Sequence, residues 1–161
     1  MWIRIAALFG ATGLILGAFG AHALRARLEP AQLASWTTGV HYQLFHAVAL
    51  LALVLWSESS GRSLGPTPWL FALGMLLFSG SIYALVLTPW RWFGPVTPIG
   101  GLLLIAGWLS RMFRDMSDTG TVPKSADSAL GVLSALLLRA VVLVVATGAL
   151  YGATVYGFKA V

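Results

Sequence analysis

Residues 37–46 read TTGVHYQLFH and lead into an apolar run that ends at Trp56. They place His41, Tyr42, Gln43 and His46 at the start of a hydrophobic segment, while the other hydrophobic runs contain few polar side chains. Polar groups are costly in lipid unless they find partners or face the protein interior. The pattern therefore predicts a membrane helix whose polar side chains turn toward neighbouring helices.

The composition of the chain is typical of an integral membrane protein. Hydrophobic residues make up 58% of its 161 residues and charged residues 9%, with a mean hydropathy of +0.86. Soluble domains usually contain about 25% charged residues. The length allows four or five spans of roughly 20 residues each. The apolar runs are too long and continuous for the alternating strands of a membrane β-barrel.

Charge and cysteine content exclude several classes of function. The net charge is +5, but the ten Lys and Arg residues are scattered singly through loops and helix ends. This arrangement is typical of headgroup contacts and topology signals, and it lacks the basic face that nucleic-acid binding requires. The absence of cysteine excludes disulfides, thiolate catalysis and Cys-ligated metals.

Five apolar segments predict an all-α, polytopic helical membrane bundle with five transmembrane helices. Four form a membrane domain within 1–117, with spans at 2–21, 39–56, 69–87 and 97–113. A polar loop at 118–128 and an additional C-terminal helix within 129–161 follow. We expect a separate interfacial helix at 31–36, with Pro30 in its first turn. Six basic residues on the N-terminal side against four on the other favour a cytoplasmic N-terminus.

Glycines predict close helix packing at two places. Gly10, Gly13, Gly17 and Gly20 recur every three or four residues, which lays one flat stripe along the first span. Small residues of this kind allow helix backbones to approach closely in lipid. The pair Gly100 and Gly101 opens the fourth span, and we expect that pair to pack against the stripe.

Four blocks of sequence resemble a known family of small bacterial membrane proteins. They read GAFGAHAL at 17–24, WTTGVHYQ at 36–43 continuing to His46-Ala47, FSGSIY at 78–83, and TPIGG at 97–101 with Gly107-Trp108. Together they resemble the domain-of-unknown-function 423 family, which includes the eukaryotic transmembrane protein 256, over about residues 1–115. The resemblance implies a four-helix inner-membrane protein without an assigned activity. The fifth hydrophobic segment departs from the family pattern.

The three histidines raise the question of a haem or metal site. His22 ends the first span, and His41 and His46 are predicted in the first turns of the second span, on the same membrane side. Histidines on facing helices can ligate haem iron. However, His41 and His46 lie about 140° apart around a helix, so they do not share a face. We therefore favour hydrogen-bonded histidines, and no metal site is predicted.

A polar cluster inside the bundle is the favoured candidate site. Tyr42 and His46 share one helix face, and Ser79, Ser81 and Tyr83 could meet them from the third span. The cluster could be interhelical hydrogen bonding alone, or a site for a quinone headgroup, a lipid headgroup or a small neutral solute. The full set of candidates is His22, Trp36, Thr38, His41, Tyr42, Gln43, His46, Ser79, Ser81 and Tyr83.

The sequence favours a function without catalysis. All acidic residues fall in predicted loops, which disfavours ion-coupled transport. Neither Ser79 nor Ser81 has the flanking glycines of a nucleophile elbow, so no catalytic residue is predicted. We expect a non-enzymatic accessory or scaffold protein of the bacterial inner membrane that binds lipid, a membrane partner or a second copy. The alternatives are a transporter or channel for a small neutral solute, and a redox protein that binds haem or quinone.

Overall fold

The computed structural model describes residues 1–118, in which four long helices dominate. They are α1 (Trp2–Phe19), α2 (Pro30–Ser60), α3 (Thr67–Leu87) and α4 (Val96–Asp118), and this part of the chain contains no strand. All four are long and apolar enough to cross a membrane. The predicted all-helical architecture is confirmed for these four spans. The predicted fifth helix and the polar loop before it lie outside the described residues.

The chain divides into two compact units, 1–111 and 112–161. The first contains α1, α2, α3 and most of α4. Of the second, the structure describes only 112–118, which form the end of α4. The fourth span, predicted to end at residue 113, therefore continues as helix to Asp118.

Helix α2 corrects the prediction of a separate interfacial helix at 31–36. The structure has one continuous helix of 31 residues instead. The hydroxyls of Thr37 and Thr38 donate to the carbonyls four residues earlier, at 2.9 and 3.0 Å, so the helix continues through the predicted break. His41 and His46 consequently lie near the middle of α2 and not in its first turns.

Local signals set the ends of α2. The Glu29 N–H donates to the Gln32 side-chain oxygen at 3.1 Å, and Pro30 occupies the first turn, where its missing N–H costs nothing. At the other end Gly61 adopts a left-handed φ of 68°, which glycine tolerates without steric cost.

Helices α1 and α2 pack through the predicted glycine stripe. A Cβ added at Gly13 would lie 2.7 Å from the Leu44 side chain, and one at Gly17 would lie 3.3 Å from Val40. Gly20 begins a π-helical turn, Gly20–Leu24, and faces the indole of Trp36. At the other end of the stripe, Gly10 does not take part in this packing, because a Cβ added there would meet no described atom within 4 Å.

The glycine pair of α4 packs against α3, which corrects the expected contact with α1. A Cβ at Gly100 would clash with the backbone of Phe78, and one at Gly101 would lie 3.5 Å from the Phe78 ring. The physical reason is the short connection between the helices, which contains only a 3₁₀ turn at Arg91–Phe93. Such a connection makes α3 and α4 antiparallel neighbours.

Candidate functional site

The polar side chains of α2 lie at the level of the lipid hydrocarbon. Phe45 is the middle residue of α2, and Gly13, the middle residue of the first spanning segment, packs against Leu44. The centres of two antiparallel helices therefore coincide. Because α2 is about 46 Å long at 1.5 Å per residue and the hydrocarbon core is about 30 Å thick, positions 41–46 fall within that core.

Gln43 joins three helices. Its amide nitrogen donates to the Phe9 carbonyl and to the Thr12 hydroxyl, both at 2.8 Å. Its amide oxygen accepts from the Tyr83 hydroxyl at 3.1 Å. The side chain is buried, with 4% exposed. The donors and acceptors of Gln43 are thus used between α1, α2 and α3, which satisfies a polar group that lipid would not.

Three further hydrogen bonds each cross one helix interface. The Trp36 indole N–H donates to the Leu16 carbonyl at 2.9 Å. The Ser79 hydroxyl donates to the Gly39 carbonyl at 2.8 Å. The Ser81 hydroxyl lies 2.7 Å from the Thr97 hydroxyl on α4. Trp36, Ser79 and Ser81 are each buried and bonded to a neighbouring helix, so they hold the helices together.

His46 is fixed by both of its ring nitrogens. Nδ1 lies 2.8 Å from the Tyr42 carbonyl, and the Trp108 indole nitrogen lies 3.2 Å from Nε2. Because an indole N–H can only donate, Nε2 accepts its hydrogen bond. Nδ1 therefore carries the ring proton and donates a hydrogen bond to the Tyr42 carbonyl. A metal ligated by His46 would have to displace one of these partners.

The three histidines do not come together. His22 is exposed in the π-helical turn, and His41 is exposed on α2, whereas His46 is buried. Among residues 1–118, no group of three or more His, Cys, Asp or Glu side chains is placed to hold a metal. Within residues 1–118, His22, His41 and His46 therefore do not form the shared ligand set that the haem hypothesis used.

Tyr42 and His41 contradict the expectation that the polar side chains of α2 all turn inward. Tyr42 is 44% exposed, and its hydroxyl has no hydrogen-bond partner within residues 1–118. Its ring packs against Phe78, with centroids 4.6 Å apart. Ser79 and Tyr83 turn away from it, toward Gly39 and Gln43. The proposed single cluster is therefore two separate sets. Thr38, also exposed, bonds only within α2.

An open groove runs along the outward face of α2. Its α2 wall consists of His41, Tyr42, Phe45 and His46. Phe45 is 62% exposed, while His46 lies at the floor with 6% exposed. The ring centroids of Phe45 and His46 are 5.4 Å apart, edge to face. This wall is therefore a nearly continuous surface of rings.

Helices α3 and α4 form the rest of the groove. Phe78 of α3 lines it, and from α4 the buried Leu104 lies at the floor, whereas Ile105 and Trp108 are exposed at the rim. Gly101 leaves open the space that a side chain would fill. The cavity holds about 570 Å³, within the range of small-molecule sites. We name it the lateral groove, because its exposed rims face outward from the bundle.

The sequence did not reveal the α4 side of the lateral groove. Trp108 is the clearest omission, because it is the only hydrogen-bond partner of His46 from another helix among the described residues. One signal was present: Trp108 lies inside a span, away from the headgroup level where tryptophan is enriched. An indole N–H within a membrane span needs an acceptor, and a histidine on another helix was the available choice.

Comparison with known proteins shows the family. A family model described as a protein of unknown function, DUF423, matches residues 16–101. The chain belongs to the DUF423 family. It is 40% identical to a UPF0382 membrane protein of Staphylococcus haemolyticus over 109 residues, which are 68% of this chain and 89% of that protein. It is 41% identical to a Schizosaccharomyces pombe UPF0382 membrane protein, over 68% of this chain and 96% of the relative.

These relatives confirm the resemblance that the sequence blocks predicted. A Haemophilus influenzae UPF0382 membrane protein is likewise 40% identical over 68% of this chain. No solved structure matches with statistical significance. The DUF423 chain is therefore a membrane protein of a family whose function is unknown, and its chemistry has to be argued from its own geometry.

Proposed function

We propose that this DUF423 protein is a non-enzymatic accessory protein of the bacterial inner membrane that binds a lipid in the lateral groove. One observation carries the proposal: the groove opens outward near the middle of α2, and its described lining consists largely of rings and bears no formal charge other than what histidine can acquire. We place the N-terminus in the cytoplasm, in line with the distribution of Lys and Arg.

The exposure of the groove supports an occupant that arrives from the bilayer. Phe45, Ile105 and Trp108 are 62%, 55% and 41% exposed along its rims. A ligand from water would first have to cross headgroups and hydrocarbon, whereas a lipid already lies at the opening. Among the described residues, the lining contains no Asp, Glu, Lys or Arg that could bind a charged solute at that depth.

The interior of the bundle favours binding over transport of a neutral solute. The polar contacts of Trp36 and Gln43 lie in one half of the bundle, where Trp36 bonds between two helices and Gln43 between three. In the other half, Leu50, Phe71 and Met75 are almost fully buried, with 0%, 0% and 1% exposed. A path along these apolar side chains would offer a polar solute no hydrogen bonds.

Two glycine substitutions, one inside the groove at Gly101 and one outside it at Gly80, provide the test. Gly101→Leu would place a side chain in the groove, because a Cβ there makes only ordinary contacts of 3.5–3.6 Å with Phe78. Gly80→Leu is the matched control, since a Cβ at Gly80 would meet no described atom within 4 Å. The full chain would be purified in mild detergent, and its retained molecules would be identified by native mass spectrometry.

We expect a stoichiometric lipid on the wild type and on Gly80→Leu, and its loss from Gly101→Leu. Equal lipid retention by both variants would refute the proposal. A protein lost from Gly101→Leu in place of a lipid would also refute it, in favour of a partner subunit docked in the groove. A second copy of the chain, lost in the same way, would indicate self-association instead.

A further inference from the structure

We infer that the lipid of the lateral groove is a neutral one whose flat ring accepts a hydrogen bond, the chemistry of an isoprenoid quinone, with the Tyr42 hydroxyl as donor. The inference rests on the proposed lipid-binding function and narrows it. Three features of the groove support it: a donor without a partner, the depth of that donor, and the shape of the walls.

The donor is the Tyr42 hydroxyl. Within residues 1–118 it makes no hydrogen bond, although the other polar candidates near the middle of α2 on the inward face are bonded. An O–H group without an acceptor is unfavourable in hydrocarbon, where water cannot replace the missing partner. A bound molecule with an acceptor at this position would satisfy it.

The depth of the donor separates the classes of lipid. Tyr42 precedes Phe45, the middle residue of α2, by three residues, which is about 4.5 Å along the helix axis. The acceptor groups of a phospholipid lie at the headgroup level, at the edge of a hydrocarbon core about 30 Å thick. A phospholipid would therefore present acyl chains to Tyr42. A quinone is neutral and carries carbonyl oxygens on a ring that the hydrocarbon tolerates.

The walls fit a flat ring. Two pairs of rings join α2 to the other helices: Tyr42 and Phe78 of α3 have an interplanar angle of 32°, and Phe45 and Trp108 of α4 have one of 40°. Aromatic surfaces at these angles offer faces and edges on which a planar ring can stack, an interaction worth more than burial of the same apolar area. Gly101 lines the same groove and leaves space beside the Phe78 ring.

Two tyrosines supply the matched variants. Tyr42→Phe removes the groove hydroxyl and keeps the ring, whereas Tyr83→Phe removes a hydroxyl that bonds Gln43 outside the groove. The full chain in lipid nanodiscs would be titrated with decylubiquinone, and binding would be followed by quenching of tryptophan fluorescence. Decylbenzene, a ring with the same alkyl tail and no carbonyl, would be the comparison ligand. In Gly101→Leu the added side chain occupies the groove, so the quenching that remains measures the contribution of quinone dissolved in the bilayer.

We expect Tyr42→Phe to raise the Kd for decylubiquinone roughly three- to tenfold, the effect of one lost hydrogen bond. Tyr83→Phe should leave that Kd unchanged, and neither variant should alter the weaker binding of decylbenzene. Equal quinone affinity of Tyr42→Phe and wild type would overturn the inference, as would an equal loss in Tyr83→Phe. Suppose that the wild type does not bind decylubiquinone, and that a phospholipid retained by the wild type is lost from Gly101→Leu. The quinone inference then fails, while the proposed lipid-binding function stands.

Discussion

Tyr42 and Gln43 are adjacent in α2, and they face two different regions of the molecule. Gln43 is 4% exposed and enters the closed interface of α1, α2 and α3, where three hydrogen bonds use its amide. Tyr42 is 44% exposed and enters the lateral groove, where its hydroxyl has no partner among the described residues. Two consecutive residues, about 100° apart around the helix, thus differ: the polar group of Gln43 is satisfied, and that of Tyr42 has no partner within residues 1–118.

The difference indicates which polar residues hold the bundle and which could act on a ligand. In lipid a polar group gains nothing from solvent, so an inward group with complete hydrogen bonds is accounted for by packing. The lateral groove has the opposite character, with large rings exposed and a donor left over. Variants at Gly100, Gln43 and Trp108 test this contrast, in order of decreasing expected effect. They alter the packing of α3 against α4, the hydrogen bonds of the closed interface, and the one hydrogen bond between Trp108 and His46 at the groove floor.

Gly100 and Gly101 give the largest predicted contrast. A Cβ at Gly100 would overlap the backbone of Phe78, whereas one at Gly101 would meet only its ring, at 3.5 Å. Backbone atoms of a packed helix cannot move aside as a side-chain end can. We therefore expect Gly100→Ala to destabilise the protein by about 3 kcal/mol or more, and Gly101→Ala to change its stability by less than about 1 kcal/mol.

Thermal unfolding of the two variants in the same detergent measures this difference. Equal midpoints for Gly100→Ala and Gly101→Ala would show that α3 and α4 are not in close backbone contact. A reduced yield of Gly100→Ala alone would agree with the prediction, and refolding from denaturant would then give its stability.

The glycine pair also illustrates how much of the fold the sequence could reveal. Four spans, their order and the need for close packing at glycines follow from apolar runs and residue spacing. The partner of Gly100 did not follow, because small residues indicate that a backbone approaches without indicating which one. The break expected between Trp36 and Gly39 was wrong, because Thr37 and Thr38, which lie between the two predicted helices, bond within one continuous helix.

The site was less predictable than the fold. The choice of Gln43 and His46 as inward residues came from the cost of polarity in lipid. That argument gave Tyr42 the wrong direction, because it assumes that every polar side chain finds a partner within the chain. α2 is apolar on several faces, so helical periodicity alone did not separate the face toward α1 from the face of the groove. Trp108 was missed because its partner, His46, lies 62 residues away in the chain.

Gln43→Leu gives an intermediate effect on the closed side. It removes three hydrogen bonds between helices, each worth about 0.6 kcal/mol in membrane proteins on average, so we expect a loss near 2 kcal/mol. Tyr83→Phe should cost about 0.6 kcal/mol alone and almost nothing when Gln43 is already leucine. Reversible unfolding in mixed detergent micelles would measure the four proteins of this cycle.

Tyr42→Phe is the control for that cycle, because it removes a hydroxyl without a described partner. We expect no measurable loss of stability from it. If Tyr42→Phe destabilises the protein as much as Gln43→Leu does, the division of α2 into a closed and an open face is wrong.

Trp108→Phe gives the smallest predicted effect, and it acts where the two regions meet. The variant removes the indole N–H that donates to Nε2 of His46 and keeps an aromatic ring at the groove rim. We expect a stability change of about 0.6 kcal/mol, and an unchanged Nδ1–H tautomer, because the Tyr42 carbonyl still accepts that proton. Nitrogen NMR of labelled histidine should show a shifted Nε2 resonance and a protonated Nδ1 in both proteins. A proton on Nε2 in the wild type would mean that Trp108 does not donate to this ring, since two N–H groups cannot share one hydrogen bond. A ring nitrogen of His46 would then lack its Trp108 partner and could bind a ligand. The groove floor would in that case resemble the open groove and not the closed interface of α1, α2 and α3.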